Sequence, residues 1–306
     1  VKIGVIGVGH LGRHHARILA SLPDVELGGV ADLNHERASR VAVEHHTRAF
    51  SDWRDLADSV EAVTIATPTE THAVIAESLL ESGIHVLLEK PMTRTTAEAD
   101  RLLAAAAKGG ATLAVGHTER FNPAVAAARA LVHEPRFIEV HRLGTFPDRS
   151  LDIDVVFDLM IHDLDLVLHF VGGEVTSIDA VGVPVLTPRI DIANVRLRFS
   201  GGCTANLTAS RISRDRVRKI RFFQRDSYVS IDYSSQELEM WRLVPQPGAM
   251  PAIEGGKMDV PQEEPLAREI ADFVAAVRQR RPPGVTGAEG RAALALAEQI
   301  VERMAI

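Results

Sequence analysis

The chain has 306 residues, enough for two domains of ordinary size, and its 46% hydrophobic content predicts a globular protein with a sizeable core. With 34 basic and 41 acidic residues the net charge is -7, which gives no electrostatic case for a nucleic acid or an anionic membrane as partner. One cysteine, Cys203, excludes an internal disulfide, and no apolar run approaches the ~20 residues of a membrane span, so a cytoplasmic location is expected.

The chain opens on VKIGVIG, without the basic segment, apolar core and cleavage site of a signal peptide; Val at position 1 is expected to mark a short upstream removal. Strand patterns at Lys2 to Ile6, Glu26 to Ala31, Ala62 to Ala66, Ile84 to Leu88 and Thr112 to Val115 then alternate with helical ones. The helices are expected at Leu11 to Leu22, Asn34 to His45, Thr69 to Ser82 and Thr95 to Lys108. Continuous apolar strands separated by amphipathic helices predict a parallel sheet covered on both faces.

Between the first strand and helix stands Gly7-Val8-Gly9-His10-Leu11-Gly12, a GxGxxG in the context that gives it meaning. Gly7 permits the tight turn, Gly9 lets backbone approach a pyrophosphate, and Gly12 allows helix and strand to pack closely. The phosphates are then expected at the positive end of the helix, beside His10 and Leu11. Twenty residues after Gly12, Asp32 ends the second strand, where a carboxylate accepts both ribose hydroxyls of NAD and repels a 2′-phosphate, favouring NAD over NADP. The bland alternative is a simple turn followed by a helix cap at Asp32. His14 and His15, next on the helix, are expected to pack or to neighbour the phosphates.

Two further segments lie at the carboxyl ends of strands, where open α/β sheets bind ligands: Ala66-Thr67-Pro68-Thr69-Glu70-Thr71-His72 and Leu88-Glu89-Lys90-Pro91. Thr67, Pro68 and Glu89 are expected at the cofactor, with His72 capping or packing against its loop. Proline after Lys90 restricts the backbone and is compatible with a cis bond. A solvated surface lysine is the alternative reading of Lys90.

After about residue 123 the pattern becomes one of alternating strands, at Phe137 to Leu143, Val175 to Val183, Ile192 to Phe199, Cys203 to Ser210, Arg218 to Phe223, Tyr228 to Asp232 and Glu237 to Arg242. Gly201-Gly202 signals a hairpin, and Pro245 to Gly256 reads as a loop.

Between them lies FDLMIHDLDLV, residues 157 to 167. Read as part of a helix from Asp152 to Phe170, it brings Asp158, His162 and Asp165 within a wedge of about 60° at about 100° per residue. Asp163 points elsewhere and receives no role. A metal site is not expected, because Asp158 and His162 are only two ligands and no further ligand cluster stands at recognisable spacing. A structural aspartate-histidine hydrogen bond and a catalytic pair, with Asp158 orienting His162 as base, both remain open.

With GVGHLG, the acid at Asp32, ATPTETH and EKP in order, the sequence resembles the glucose-fructose oxidoreductase, inositol dehydrogenase and MocA family. His117 to Pro123, HTERFNP, and the ending EPLAREIADFVAAV extend the resemblance over essentially the whole chain. It implies an N-terminal Rossmann domain plus a C-terminal α/β domain with an open, mostly antiparallel sheet, one face of which commonly supports homodimers or homotetramers. The expected boundaries are 1-120 for the NAD-binding domain, 121-285 for the substrate and oligomerisation domain, and 286-306 for a last helix packing back near the first domain.

The resemblance further implies catalysis by Lys90, Asp158 and His162, with Arg120, Asn122 and Asp165 beside them at a sugar substrate. Where the family usually carries glycines, this chain has Val155, Val156, Phe157 and Met160, a departure expected to narrow the pocket or change the substrate pose. VVFDLMIHDLDLVL, ASRIS and RKIRFFQRDSYVSIDY are most similar to a branch oxidising the 3-hydroxyl of UDP-N-acetylglucosamine. Arg211 to Arg225 holds seven basic residues, read either as diphosphate contacts or as a sheet surface carrying Arg216, Arg218 and Arg221. An inositol or free-sugar dehydrogenase, and a non-catalytic NAD-binding sensor, are the alternatives.

Overall fold

The computed structural model describes residues 1-146, 153-247 and 250-304. The chain divides into two compact units, Val1–Thr118 with Glu264–Leu294, and Glu119–Glu263 with Ala295–Ile306. In the first, β1 (Lys2–Ile6), α1 (Gly12–Ser21), β2 (Glu26–Ala31), α2 (His35–Glu44), β3 (Ala49–Phe50), α3 (Trp53–Ala57), β4 (Ala62–Ile65), α4 (Thr69–Glu81), β5 (His85–Glu89), α5 (Thr96–Gly109) and β6 (Leu113–Gly116) follow one another. A 3-10 turn at Thr118–Phe121 leads on to α6 (Pro123–Ala128), β7 (Phe137–Leu143), a π-helical turn at Val156–Met160 and α7 (Ile161–Val171). Then come β8 (Val175–Val183), β9 (Ile192–Phe199), β10 (Thr204–Ser210), β11 (Val217–Phe223), β12 (Ser227–Asp232), β13 (Glu237–Val244), β14 (Ala252–Met258), α8 (Pro265–Gln279) and α9 (Gly287–Arg303).

The first unit is a parallel sheet in the order β3-β2-β1-β4-β5-β6. Ile3, Val5, Val63, Ile65, Val86 and Leu88 have no exposed surface, as strands covered on both faces require. The order reverses between β1 and β4, so the ligand crevice of such a sheet lies at the carboxyl ends of these strands. Side-chain caps start the helices: Asn34 accepts from the Arg37 N–H ahead of α2, and Thr95 from the Glu98 N–H ahead of α5.

Residues 264–285 belong to this unit, which corrects the expected boundary of 285 for the second domain. The cause is apolar packing: Ile270, Phe273 and Val274 of α8 join the core formed by Ile3, Val5, Leu19 and Leu87. The last helix is shared, since Gly287 to Leu294 group with the first unit and the rest of α9 with the second.

The second unit is an eight-stranded sheet, β14-β13-β12-β11-β7-β10-β9-β8, antiparallel except for β7 beside β10. In β9 burial alternates residue by residue, the mark of a sheet with one covered face. Ile138, Val140, Val195, Leu207 and Phe222 pack there with Leu164, Val167 and Phe170 of α7 and with Leu296 and Ile300 of α9. The β9–β10 hairpin turns at Gly201-Gly202 as expected, with Gly202 at φ 83°.

The loop expected over Pro245 to Gly256 is partly wrong: Ala252–Met258 forms β14 against β13, while residues 248 and 249 lie outside the described part. The glycines that read as punctuation serve the strand pairing. A Cβ on Gly255 would come within 1.9 Å of the Met240 carbonyl oxygen. Among the described residues no helix is long and apolar enough to cross a membrane.

Gly12 shows why the opening loop tolerates so little change. A Cβ there would stand 1.7 Å from the Gly7 carbonyl oxygen, and Gly7 itself is at φ 84°. Gly12→Ala is therefore expected to cost about 1–3 kcal/mol of stability. Urea denaturation measures this, and an unchanged midpoint would contradict the contact.

Candidate active site

The glycine loop closes on α1 through the backbone contact at Gly7 and Gly12, and β4 supports it from the side, where a Cβ on Gly7 would meet Thr67 and Ala66. Gly9 differs. The nearest atom to a Cβ there would be the Arg37 guanidinium at 3.6 Å, so its bare backbone is not demanded by the protein's own packing. Asp32 is held with both oxygens engaged: the Val8 N–H donates to Oδ2 at 2.9 Å and the Asn34 N–H to Oδ1 at 2.8 Å. This ties the carboxylate to the glycine loop and leaves lone pairs for ribose hydroxyls. An open approach over Gly9, a helix N-terminus and a fixed carboxylate fit a dinucleotide without a 2′-phosphate.

At the end of β5 the Lys90-Pro91 bond is cis, as the proline made possible. His72, from α4, bridges the two ligand-facing loops: Nε2 lies 2.9 Å from the Thr67 carbonyl oxygen and Nδ1 3.2 Å from that of Pro91. Burial pushes its pKa below the usual histidine value, so it packs the loops together, in keeping with the absence of assigned chemistry. Glu89 is 6% exposed and its Oε1 is 3.0 Å from His15 Nε2. Its side-chain contact in the structure is thus with α1.

In the second unit Asp158 lies in the π-helical turn and His162 in the first turn of α7, both half-buried. The Ile161 N–H donates to the Val156 carbonyl, five residues back, so the helix holds an extra residue just where the polar stripe was projected. The uniform advance of 100° fails across that turn. The helical reading also began at Asp152, which lies outside the described residues. Val155, Val156 and Met160 are wholly buried in the unit's core, and Phe157 is partly buried against it.

The neighbouring acids are anchors. Asp163 receives both Nε and Nη2 of Arg142, at 2.7 and 2.9 Å, while Nη1 of Arg142 reaches Glu119 at 3.0 Å. Arg142 lies on β7 with its guanidinium 5.3 Å from the centroid of the Tyr233 ring. Burial works against its charge, but Asp163 and Glu119 outweigh burial and raise its pKa. Asp165 makes the same bidentate pair with Arg120, at 2.7 and 2.9 Å, and Arg120 also reaches His169 Nδ1 at 2.8 Å.

Arg120 and Asp165, expected at the substrate, thus pair with each other in the structure. Asn122 is likewise redirected: it caps α6 through the Ala124 N–H and donates to the Tyr233 carbonyl oxygen, with 1% exposure.

The basic segment disperses in the fold. Arg211 is buried against Asp191 and also donates to Ile153 and Thr187. Lys219 pairs with Asp232 and Arg221 with Glu139. Arg218 shares the strand parity of buried Ile220 and Phe222, whereas Arg221 takes the opposite parity, so these two do not form one basic surface. Cys203 is buried, and burial pushes its thiol up to about 11, so it is no nucleophile at neutral pH.

A parallel sheet carrying a glycine-rich phosphate loop and a fixed ribose carboxylate at its switch point, followed by a second α/β unit, defines an NAD-dependent oxidoreductase. The family model of an oxidoreductase family with an NAD-binding Rossmann fold matches residues 1–117, and the GFO/IDH/MocA C-terminal domain matches residues 124–226. The chain belongs to the Gfo/Idh/MocA family. It is 43% identical over 304 residues to the UDP-N-acetylglucosamine 3-dehydrogenase of Acidithiobacillus ferrooxidans, covering 98% of this chain and 96% of that one. A solved structure of an enzyme of that name and organism superposes with a TM-score of 0.93 at 41% identity, over 99% of this chain and 97% of the other. An inositol 2-dehydrogenase of Rhizobium meliloti is 27% identical, over 100% of this chain and 97% of its own.

Two outcomes test the anchors. Asp163→Ala leaves the buried Arg142 without its main counter-charge and is expected to cost about 3–5 kcal/mol, read by urea denaturation. Asp191 accepts the Val185, Leu186 and Thr187 N–H groups as well as Arg211. Burial opposes its charge, but these donors hold its pKa below the ordinary carboxylate value. A depressed folded pKa means that its stabilisation is complete above the unfolded value of about 3.9 and is lost as pH falls through the folded one. Asp191→Asn is expected to flatten that acid limb of a stability-pH curve.

Proposed function

We propose that the protein oxidises the 3-hydroxyl of a nucleotide sugar of the UDP-N-acetylglucosamine type. The reading is supported by the chain's keeping a dinucleotide cradle and Lys90 at the end of β5 in one unit, and Asp158 and His162 in the other. The substrate class rests on the 43% identity, spread over 98% of the chain, with an enzyme named for that substrate.

Bound NAD supplies the hydride acceptor. His162 takes the proton of the sugar hydroxyl, a task suited to a group whose ordinary pKa lies near neutrality. Asp158 orients the imidazole and stabilises its protonated form. Lys90 donates a hydrogen bond to the oxygen as alkoxide character develops, which is electrostatic stabilisation where charge appears. Gly7, Gly9, Gly12 and Asp32 hold the cofactor, and Thr67, Pro68 and His72 shape the adjoining loop. The carbon would give up its hydrogen as hydride to the cofactor and the hydroxyl oxygen its proton to His162, so the product is the 3-keto sugar.

We extend the proposal to a cytoplasmic homo-oligomer. Trp241, Leu243 and Ile253 on β13 and β14, and Val181 and Val183 on β8, are 41–71% exposed and supply apolar area at both edges of the second sheet. Light scattering that returned a monomer at micromolar concentration would overturn this part.

A panel of UDP-N-acetylglucosamine, other sugar nucleotides, myo-inositol and free sugars, followed by NADH absorbance, tests the substrate. Turnover confined to polyols would replace the nucleotide-sugar reading by that of an inositol dehydrogenase, and no turnover on any member would leave an NAD-binding sensor. On the accepted substrate, His162→Ala and Lys90→Met are each expected to lower kcat by about 10²–10⁴. Unchanged turnover in both would sink the mechanism.

A further inference from the structure

His15 belongs to neither the phosphate loop nor the proposed proton path, yet it is fully buried on α1 and aimed at Glu89, the residue before Lys90. Its Nε2 is 3.0 Å from Glu89 Oε1, whereas among the described residues its buried Nδ1 has no hydrogen-bond partner. With a hydrogen on Nε2 the imidazole donates to the negatively charged Glu89 carboxylate.

That charge is fixed in place from several elements. The Lys90 N–H lies 3.3 Å from Glu89 Oε2, and a Cβ on Gly116, at the end of β6, would come within 3.1 Å of the same oxygen. Burial alone would raise the Glu89 pKa, but the hydrogen bond and the charge interaction with His15, followed by the ammonium and the N–H of Lys90, outweigh it and keep the carboxyl below its ordinary range. His72 on α4 also feels the Glu89 charge. A buried carboxylate is held only when paired, and Lys90 is the cation next to it in the chain.

We propose that His15 and Glu89 are positioning residues for Lys90: His15 locks the Glu89 carboxylate, and that carboxylate anchors the Lys90 backbone and supplies the fixed counter-charge against which its ammonium is set. The proposal rests on the reading of Lys90 as donor to the developing alkoxide, because only then does its placement govern the rate. His15 touches no reactant. Its effect passes through Glu89.

The test uses the full-length protein with NAD, in two arms. Mass spectrometry measures acetylation of Lys90 at one pH relative to exposed Lys108 as internal standard. Turnover of UDP-N-acetylglucosamine and NADH binding by fluorescence are measured beside it. His15→Leu removes the donor, Glu89→Gln keeps the shape and removes the charge, and His15→Gln returns a donor near the Nε2 position.

Relative Lys90 labelling is expected to change by about ten-fold or more in His15→Leu and Glu89→Gln, the scale of one lost charge-assisted hydrogen bond, with kcat falling similarly and NADH affinity held. His15→Gln should recover most of both. Lys90 labelling unchanged in Glu89→Gln overturns the inference, even if Lys90→Met abolishes turnover. A kcat loss matched by an equal loss of NADH binding, without recovery in His15→Gln, also overturns it by making the pair a structural prop. If labelling responds as expected but Lys90→Met turns over normally, the catalytic reading of Lys90 fails and with it the claim that this positioning serves the rate.

Discussion

The bidentate pair between Arg142 and Asp163 is the constraint on which the second unit's candidate chemistry depends. Both side chains are buried, and the strand and the helix they join are otherwise held by apolar contacts, which resist separation but leave rotation and sliding cheap. Two parallel N–H···O bonds fix direction as well as distance. Since Asp163 is the residue after His162, whatever sets Asp163 also sets the backbone that carries the imidazole. Arg120 repeats the device at Asp165, two residues further on. A buried ion pair is weak evidence for net stability, because desolvation offsets much of the Coulomb gain. Two such pairs in the turn that follows a proposed base are better understood as fixing the position of a helix.

In the first unit, close contact does what charge does in the second. Gly7 and Gly12 bring α1 against β1 so tightly that no side chain fits between, and this sets the helix N-terminus relative to the carboxylate at Asp32. The same approach carries His15, one turn into α1, against the end of β5. Cofactor loop and Lys90 thereby share a support.

What was legible in the sequence follows from period and punctuation. The parallel sheet was readable because Ile3, Val5, Val63 and Ile65 sit in short apolar runs, and the ends of those runs placed Asp32 and Lys90 correctly at strand termini. β14 was missed because Gly255 and Gly256 look like a turn, although their lack of side chains is what lets an edge strand approach. The π-turn within FDLMIHDLDLV was not legible because it is a main-chain event without a side-chain signature.

The buried pairs were half legible. Arg142 shares the strand parity of Ile138 and Val140, so alternation alone places a guanidinium inside and demands an acid. Asp163, embedded in an apolar helix, makes the reciprocal demand. Each residue announces a need for a partner, but its identity is a long-range fact that one chain does not carry. His15 has the same standing: the spacing of Gly12, His15, Ala16 and Leu19 puts it on the buried face of α1, and the fold then brings Glu89 to it. A polar residue on the apolar side of a periodic element is therefore the strongest sequence pointer to a position where burial has to be offset by a specific contact. In this protein such contacts lie one residue from Lys90 and one from His162, the two side chains to which the proposed function assigns the chemistry.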